Sequence, residues 1–451
     1  MPPPIAAATF AIGILGLFWL DRRKSARTSA AVWIPLAWFS IVCSRPVGVW
    51  LQIGPSIGSA DEMQEGSPLD RVVWLVLFVL GVAILLGRRR RLARVLQANS
   101  TVLVFFIYCL VSVLWSDFPG VAFKRWIKAV GDVAMVLIVL TDREPVVAFN
   151  YTLCRLAYVL VPLSVLFIKY YPSVGVSYFQ WGGKGNVGGV TTNKNSLGVI
   201  SLCFGLWALW RLIERYKDRK SPGRLRQMLV YSVILSMVLW LFDASNSMTS
   251  LNSFIMASAL LVTANTASVI RRQSVLHLLM ILMLVASASV LFLGVSPDVL
   301  RAMGRNPTLT DRTEIWQVVL SLSGNRWIGT GFESFWLGPR LEKMWALYWW
   351  HPQEAHNGYL EVFLMLGWAG VGLLGAVIAT GYRTVFRVWR QDFLGALGLA
   401  YFFVGLVYNF TEAAFFKMQA VSWIFFLFAI VAVPSVSRKW QGKATDTAVI
   451  G

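Results

Sequence analysis

Residues 355–381 read AHNGYLEVFLMLGWAGVGLLGAVIATG, a polar segment that gives way at Gly358 to a long apolar run. About 20 consecutive apolar residues in a helix span the hydrocarbon core of a bilayer. Similar runs recur along the chain, at about 4–20, 31–51, 72–87, 101–116, 126–141, 149–170, 196–213, 228–243, 250–269, 275–295, 358–381, 393–410 and 417–434. The sequence therefore predicts an all-α polytopic membrane protein with about 12–13 transmembrane helices.

The composition supports the same class. The 451 residues are 57% hydrophobic and 14% charged, with a formal net charge of +19. A soluble protein with this charge would be expected to bind nucleic acid. Here the cations lie in short loops between apolar runs, which is the distribution that sets membrane topology. We therefore expect contact with membrane lipids and no nucleic-acid partner.

The distribution of charge also predicts which face each loop occupies. Cations cluster in alternate loops, for example from Arg88 to Arg91 and from Arg211 to Arg226. The loop after the second apolar run instead carries Asp61, Glu62 and Glu65. Loops rich in Lys and Arg remain on the cytoplasmic side. The long polar stretch at 296–357 is therefore predicted to lie on the outer face.

Four regions follow from this topology. They are N-terminal transmembrane helices at 1–295 with about ten spans, an outer loop at 296–357, C-terminal transmembrane helices at 358–434 and an inner tail at 435–451. The first apolar run is expected to be retained as a span, because its charges follow it rather than precede it. The cysteines fall in apolar runs at irregular spacing, which favours buried thiols over disulfides or zinc ligands; they are Cys43, Cys109, Cys154 and Cys203.

The outer loop concentrates the residues that carry chemistry. It contains His351 and His356, two of only three histidines in the chain. Imidazole moves protons near neutral pH and guanidinium binds phosphate, a combination typical of group transfer from an anionic lipid donor. Amphipathic stretches at 311–322 and 332–350 predict short interfacial helices. The loop's cations are Arg301, Arg305, Arg312, Arg326, Arg340 and Lys343.

Each candidate has a second interpretation. His356, at the mouth of the 358–381 run, is either a general base or a hydrogen-bonded interfacial histidine. His351 is more typical of a loop residue, and His277 of a structural one. Arg312 either binds a diphosphate or pairs with a neighbouring acid, Asp311 or Glu314.

Two further clusters lie at outer ends of apolar runs. Lys124, Arg125 and Lys128 run against the charge bias, so they indicate either an anionic ligand or pairing with Asp132 or with the acidic outer loop. Lys194 opens another helix, where exposed N–H groups favour an anion. Capping by Asn195 or Ser196 explains part of that pattern. The glycine-rich segment 182–189 predicts a flexible outer loop, and paired structural roles are expected for Asp243, Glu412 and Lys417.

Several short motifs in a fixed order resemble the O-antigen ligase and O-antigen polymerase superfamily. They are WSDFPGVAFKRW at 115–126, TTNKNSLG at 191–198, SNSMTSL at 245–251, DRTEIW at 311–316, GTGFESFW at 329–336 and AHNGYLE at 355–361. The resemblance covers roughly 100–434 and is closest to the ligase-like or exopolysaccharide-polymerase-like members.

The resemblance implies a multi-pass glycosyltransferase of the bacterial inner membrane with a periplasmic active site. Its donor is an undecaprenyl-pyrophosphate-linked glycan, and its acceptor is a hydroxyl on a glycan or on lipid A core. It implies no metal and no other cofactor. By position, His356 is the general base of an inverting transfer and Arg312 binds the donor diphosphate. The further substrate-binding candidates are Lys124, Arg125, Lys194, Arg305, Arg340 and Asn357.

The chain departs from the superfamily pattern at two positions. Asp311 stands where glycine is common, and Met248 stands where many relatives carry arginine or lysine. The second departure leaves one phosphate contact unassigned, and Arg125 or Lys194 is the candidate to supply it. The competing function class is a polytopic transporter or flippase of a glycan or a lipid-linked substrate. We find no inverted repeat that would favour it.

Overall fold

The computed structural model describes residues 1–22, 28–53, 67–177, 185–266, 272–292, 309–348, 351–417 and 420–433. Within these ranges, the side chains of 290–292 and 309–313 are not described. Arg305 and residues 182–184 of the glycine-rich segment therefore lie outside the described residues, whereas residues 185–189 are described and include the short strand Asn186–Val187. The backbone of Arg312 is described, but its side chain is not.

The described chain is helical apart from turns, two short 3₁₀ segments and one two-residue strand pair. The first helices are α1 (Pro3–Leu20), α2 (Trp33–Val42), α3 (Val47–Trp50), α4 (Pro68–Gly87), α5 (Arg89–Ala98), α6 (Ser100–Val111), α7 (Pro119–Leu140), α8 (Pro145–Tyr170) and α9 (Pro172–Gly175). The later ones are α10 (Lys194–Lys217), α11 (Arg224–Ser245), α12 (Met248–Ala264), α13 (Gln273–Phe292), α14 (Leu309–Ser321), α15 (Gly338–Leu347), α16 (Gly358–Gln391), α17 (Leu394–Tyr408) and α18 (Val421–Ile430).

The 3₁₀ segments are Ala30–Val32, which leads into α2, and Ser112–Trp115, which extends α6. The antiparallel pair joins β1 (Val176–Ser177) to β2 (Asn186–Val187). It closes the loop that leads from α9 towards α10.

These helices confirm the predicted fold class, an all-α polytopic membrane protein. Each of the thirteen predicted spans overlaps a described helix. Among the described residues, six helices are long and apolar enough to cross a membrane, namely α1, α4, α8, α10, α11 and α16. The pair formed by α5 and the extended α6 meets the same criteria together but is bent by 92°. Five shorter apolar helices coincide with α2, α12, α13, α17 and α18.

The core of the bundle lies around α10, which packs against α11, α12 and α18. Large side chains such as Trp207 and Phe204 are fully buried there. In contrast, α1 and α4 expose most of their apolar surface, as expected for helices that face lipid. Some buried polar groups of the bundle are paired: Trp38 Nε1 donates to Asp132 Oδ1 at 2.7 Å. An unpaired polar group in hydrocarbon costs several kcal/mol.

The described residues between 309 and 357, which belong to the predicted outer loop and which we call the outer segment, have their own small hydrophobic core. Ile315 and Val319 of α14 pack with Phe335, Leu341 and Met344. The amphipathic stretches predicted at 311–322 and 332–350 correspond to α14 and α15. The second helix begins only at Gly338, because Gly331, Glu333 and Gly338 all have positive φ and turn the chain before it.

The outer segment is also joined to the membrane bundle through a break in α16. Gly367 has φ 61° and interrupts the helical backbone. The N–H groups of Thr330 and Gly331 donate to the carbonyls of Leu364 and Met365, at 3.1 and 2.9 Å. In return, the N–H groups of residues 368 and 369 donate to the carbonyls of residues 326 and 327, at 2.9 and 3.1 Å. The 326–331 loop thus satisfies backbone groups that the break exposes.

Helix α7 connects the two faces of the protein. Its 22 residues correspond to about 33 Å at helical rise. Near its first turns, Arg125 contacts Glu333 of the outer segment. Just beyond its last turn, Asp142 pairs with Arg88. We call these the His356 face and the opposite face, since His356 lies on the side of the outer segment.

Candidate functional site

The start of α16 fixes the position of His356. The Asn357 side chain caps the helix, and its Oδ1 accepts hydrogen bonds from the N–H groups of Tyr359 and Leu360 at 3.1 and 3.0 Å. The Gly358 N–H donates to the carbonyl of Asn409, at 2.9 Å. A Cβ at Gly358 would lie 1.9 Å from Asn409 Oδ1, so only glycine permits this approach. The histidine is therefore held against the loop between α17 and α18.

His356 lies between two carboxylates. Its Nδ1 is 3.0 Å from Glu354 Oε1 and 3.5 Å from Glu412 Oε2. Glu354 also forms an ion pair with Lys417. The amide of Asn195 donates to Glu412 Oε1 at 3.3 Å. The site thus combines residues from three parts of the chain: the outer segment, the start of α10 and the α17–α18 loop.

The carboxylates set the proton affinity of the imidazole. Burial alone would lower the pKa of His356, but its hydrogen bonds to Glu354 and Glu412 raise it from 6.5 to about 9. Burial would also raise the pKa of Glu354, whereas the Lys417 ammonium and His356 hold it below its usual range. Since Nδ1 faces both acids, a ligand of the imidazole has to approach Nε2 on the other side of the ring.

Glu354, His356 and Glu412 also carry the kinds of ligand atom that coordinate a divalent cation. One ligand atom each from Glu354, His356 and Glu412 lies within 4.8 Å of the others. However, the positive charge beside these carboxylates is already supplied by the imidazole and by Lys417. A metal ion here would have to displace a proton from His356 and compete with that ammonium. The arrangement fits a proton-transfer site better than a metal site.

A cleft with about 910 Å³ of empty space opens beside this cluster. Arg125 and Lys128 of α7 form one wall, and Glu354 and Lys417 form part of the other. Arg125 is oriented by Glu333, whose backbone carbonyl accepts from Nη1 at 2.5 Å. The cleft therefore places two cations of α7 near the partners of His356. Its remaining lining residues are Trp336, Gln353, Glu361, Met365, Ala413, Phe415 and Phe416.

A second, more apolar groove lies on the other side of α7. It has about 930 Å³ of empty space and shares Arg125 and Lys128 with the cleft. Two further cations, Arg71 and Lys124, line it as well. Its apolar lining comes from α2, α4 and α7, through Trp38, Trp74, Leu75, Phe78, Val121 and Ile127. Side by side, the groove and the cleft present an apolar surface, then the cations of α7, and then the cluster around His356.

A buried carboxylate supports the segment that carries His356. Both oxygens of Glu361 accept from Trp336 Nε1 at 3.0 Å. Glu361 Oε1 also accepts from the N–H of Ala355, at 2.5 Å. The carbonyl of Ala355 accepts in turn from Trp316 Nε1 at 2.8 Å. The residue preceding His356 is therefore held from both sides.

The structure brings some of the predicted residues together and separates others. His356, Asn357 and Arg125 lie at the cleft or beside it, and Lys124 lies in the adjacent groove. Arg340 forms an ion pair with Asp117 at 2.7 Å.

Lys194 begins α10 with an exposed side chain. Its N–H donates to Asn186 Oδ1 at 2.9 Å, while its neighbour Asn195 reaches Glu412. The TTNKNSLG motif therefore contributes to the site through Asn195.

The other two histidines have aromatic neighbours. His351 stacks on Trp345, with 4.8 Å between the ring centroids. His277 of α13 contacts Tyr382 and Phe386 of α16, within the bundle.

Glu354, Glu412 and Lys417 were not predicted as site residues. Glu354 lies only two positions before His356, and this proximity was the one local signal. Glu412 and Lys417 were expected to have paired structural roles, and the ion pair of Lys417 agrees with that expectation. Their contact with the histidine cluster depends on how α17 and α18 pack, which no local pattern encodes.

Comparison with known proteins gives a distant relationship. No family model matches the chain. Over 293 residues it is 22% identical to the "Exopolysaccharide production protein ExoQ" of Rhizobium meliloti (strain 1021). The match covers 62% of this chain and 64% of that protein, so it spans less than two thirds of the relative. This similarity is consistent with the superfamily resemblance but does not identify a particular member.

Proposed function

We propose that the protein is a membrane glycosyltransferase of the O-antigen ligase and polymerase type. It transfers a glycan from an undecaprenyl-pyrophosphate-linked donor to an acceptor hydroxyl, on the periplasmic side of the bacterial inner membrane. The observation that carries the proposal is His356, held by Glu354 and Glu412 beside a cleft walled by Arg125 and Lys128. The distant similarity to an exopolysaccharide production protein supports the same class.

In the proposed reaction, neutral His356 acts as the general base through Nε2. The acceptor oxygen attacks the anomeric carbon and its proton passes to Nε2. The bond from the anomeric carbon to the diphosphate oxygen breaks, and the electron pair leaves with the diphosphate. Glu354 and Glu412 stabilise the imidazolium that forms, as the orienting carboxylate does in other histidine-based sites. The two acids thus favour proton transfer to the ring in the transition state.

The cations of α7 suit the leaving group. Arg125 and Lys128 face both the cleft and the apolar groove, so a diphosphate bound there would lie between a prenyl chain and the histidine cluster. Guanidinium binds diphosphate oxygens in a bidentate manner and stabilises the charge that gathers on them. The groove walls, which include Trp38, Trp74 and Phe78, provide the apolar surface that a prenyl chain requires.

We also retain Arg312 in this proposal, on the basis of its position in α14. Trp316, one helical turn later, donates to the carbonyl of Ala355 next to His356. Residues four apart lie on the same face of a helix. By helical spacing, position 312 shares a face of α14 with Trp316. Arg305 and Lys194 remain secondary candidates for the diphosphate.

Among acceptors, we favour a growing polysaccharide over lipid A core, because the relative is named for exopolysaccharide production. We propose metal independence for the reason given above, namely that His356 and Lys417 already balance the acidic charge. Undecaprenyl diphosphate is a good leaving group, so positioning, anion stabilisation and one base suffice for catalysis.

Replacing His356 tests the proposal. His356→Ala is expected to lower the rate of glycan transfer from a purified lipid-linked donor by about 10²–10⁴-fold. His351→Ala removes an imidazole from the same outer segment outside the cluster, so it is the matched control and should retain most activity. The assay is run in detergent, with and without a chelator, on variants that insert and purify normally.

Three results would contradict the proposal. Near-normal transfer by a well-folded His356→Ala variant would exclude the base role. Complete loss of activity with a chelator would contradict the proposed metal independence. Movement of the lipid-linked glycan across sealed vesicles without any transfer would identify a flippase instead.

A further inference from the structure

A second charged pocket lies on the opposite face, at the other end of α7 from Arg125. It is lined by Arg91, Arg94, Val95, Leu140, Thr141, Asp142 and Arg143, and it has about 610 Å³ of empty space. It lies where α5 meets the end of α7. None of these residues belongs to the proposed transfer site.

Helix α5 has the character of a helix that lies in the membrane interface. Leu92, Val95 and Leu96 recur at helical spacing and pack against the core. The arginines of this helix, Arg89, Arg90, Arg91 and Arg94, are exposed. The axis of α5 is bent by 92° from that of the extended α6, which is apolar. If α6 runs along the membrane normal, α5 lies along the surface with its arginines at headgroup level.

The corner between these helices is fixed. Asn99 Nδ2 donates to the carbonyl of Ala432 at 3.0 Å, and the N–H of Ala432 donates to Asn99 Oδ1 at 2.8 Å. These paired hydrogen bonds tie the bend to the end of α18. The orientation of the α5 arginines is therefore set by the bundle and does not depend on a flexible loop.

The charge of the pocket is unbalanced. Its single carboxylate, Asp142, is buried and engaged by Arg88 Nη2 at 3.1 Å and by Ser29. Arg91 Nη1 donates to the backbone carbonyl of Thr141, at 3.2 Å. Within the described part of the chain, Arg91, Arg94 and Arg143 form no ion pair with an acidic side chain. Three guanidinium groups thus surround a pocket whose one acid is already neutralised.

We propose that this pocket binds the phosphodiester headgroup of an anionic phospholipid. Guanidinium groups match phosphate oxygens in geometry and charge. Val95 and Leu140 supply an apolar wall where the acyl chains would begin, and the interfacial position of α5 places the arginines at the depth of the headgroups. Basic pockets between helices near the membrane surface suit such lipids. The bound lipid would connect α5 to the end of α7 and so brace this side of the bundle.

Native mass spectrometry of the purified full-length protein tests the proposal, with phosphatidylglycerol and phosphatidylcholine added in equal amounts. The test variant is R94Q/R143Q, because neither side chain makes a hydrogen bond to another element among the described residues. The matched control is R383Q/R387Q, which removes the same charge from exposed positions near the end of α16 on the same face. We expect the retention of phosphatidylglycerol to fall in R94Q/R143Q by roughly fivefold for each arginine removed.

The control should keep the preference of the unmodified protein for phosphatidylglycerol. Equal losses in the two variants would overturn the proposal, because general surface charge would then explain binding. Unchanged retention in R94Q/R143Q would also overturn it. Displacement of the lipid by excess inorganic phosphate would show that the pocket takes a free anion instead. R94Q alone changes only an exposed side chain. If the double variant fails to fold, R94Q should still lose part of the phosphatidylglycerol retention, and unchanged retention would overturn the proposal.

Discussion

Replacement of Glu354 by glutamine isolates the electrostatic part of the site. Glu354 is the nearer of the two carboxylates, at 3.0 Å from His356 Nδ1, and glutamine keeps its size while it removes its charge. It also leaves the Lys417 ammonium without its partner, so the local charge becomes more positive. Both changes disfavour the imidazolium. We therefore expect Glu354→Gln to lower the pKa of His356.

The size of the effect follows from the elevation of the pKa. A rise from 6.5 to about 9 corresponds to roughly 3 kcal/mol in favour of the protonated ring. Loss of the nearer acid is expected to remove at least about one pKa unit, or about 1.4 kcal/mol. Because the folded-state pKa exceeds the unfolded value, this stabilisation is fully present below pH 6.5. It is lost as the pH rises through 9. Because the pKa of His356 is raised less in the Glu354→Gln variant, the stability of that variant should fall less over the same pH range.

The chain contains three histidines, so the pKa of His356 can be measured directly. Histidine-labelled protein in detergent would be titrated by NMR, with His277→Gln and His351→Gln spectra to assign His356. The matched control is Glu342→Gln, an exposed acid on α15. In the transfer assay, the acid limb of the rate profile should move to lower pH along with the titration, since the neutral ring is the base. An unmodified protein in which His356 titrates near 6.5, or a pKa that Glu354→Gln leaves unchanged, would refute this reasoning.

Two structural predictions concern the support of the site. Gly367→Ala places a Cβ 2.3 Å from a neighbouring backbone carbon at positive φ, so we expect destabilisation of at least about 1–3 kcal/mol in detergent thermal unfolding. Gly372→Ala, which meets open space on the same helix, should be neutral or stabilising, and equal effects would contradict the role of the break. Trp336→Phe removes the side-chain donor to buried Glu361 and should lower the free energy of unfolding by about 1–3 kcal/mol. If the pKa of His356 is unchanged in this variant, its specific activity should not fall to the same extent.

The spans and the location of the histidine were predictable because their signals are local. An apolar run of sufficient length specifies a helix in a membrane, and the Asn357–Gly358 pair marks its start. The short helices of the outer segment follow from amphipathic spacing in the same way. The turns before Gly338 could not be predicted in this way, since a positive φ at Glu333 reflects tertiary packing more than residue type.

The surroundings of the histidine were less accessible from the sequence. Glu412 approaches His356 because the loop between α17 and α18 folds back under the start of α16, where Gly358 donates to the Asn409 carbonyl. A single acid at the edge of an apolar run carries no sign of that approach. Arg340 illustrates the reverse situation: its sequence context favours an anionic substrate, but its partner in the fold is Asp117, on a distant segment.

The backbone bonds between the 326–331 loop and α16 also bear on how the chain matures. The loop emerges from the ribosome before the residues around Gly367 that it will pair with. Until α16 has inserted and broken at that glycine, the N–H groups of Thr330 and Gly331 have no helical carbonyls to meet. A nascent chain arrested ahead of Gly367 would thus display this segment undocked. Docking of the 326–331 loop therefore has to follow formation of the broken helix α16.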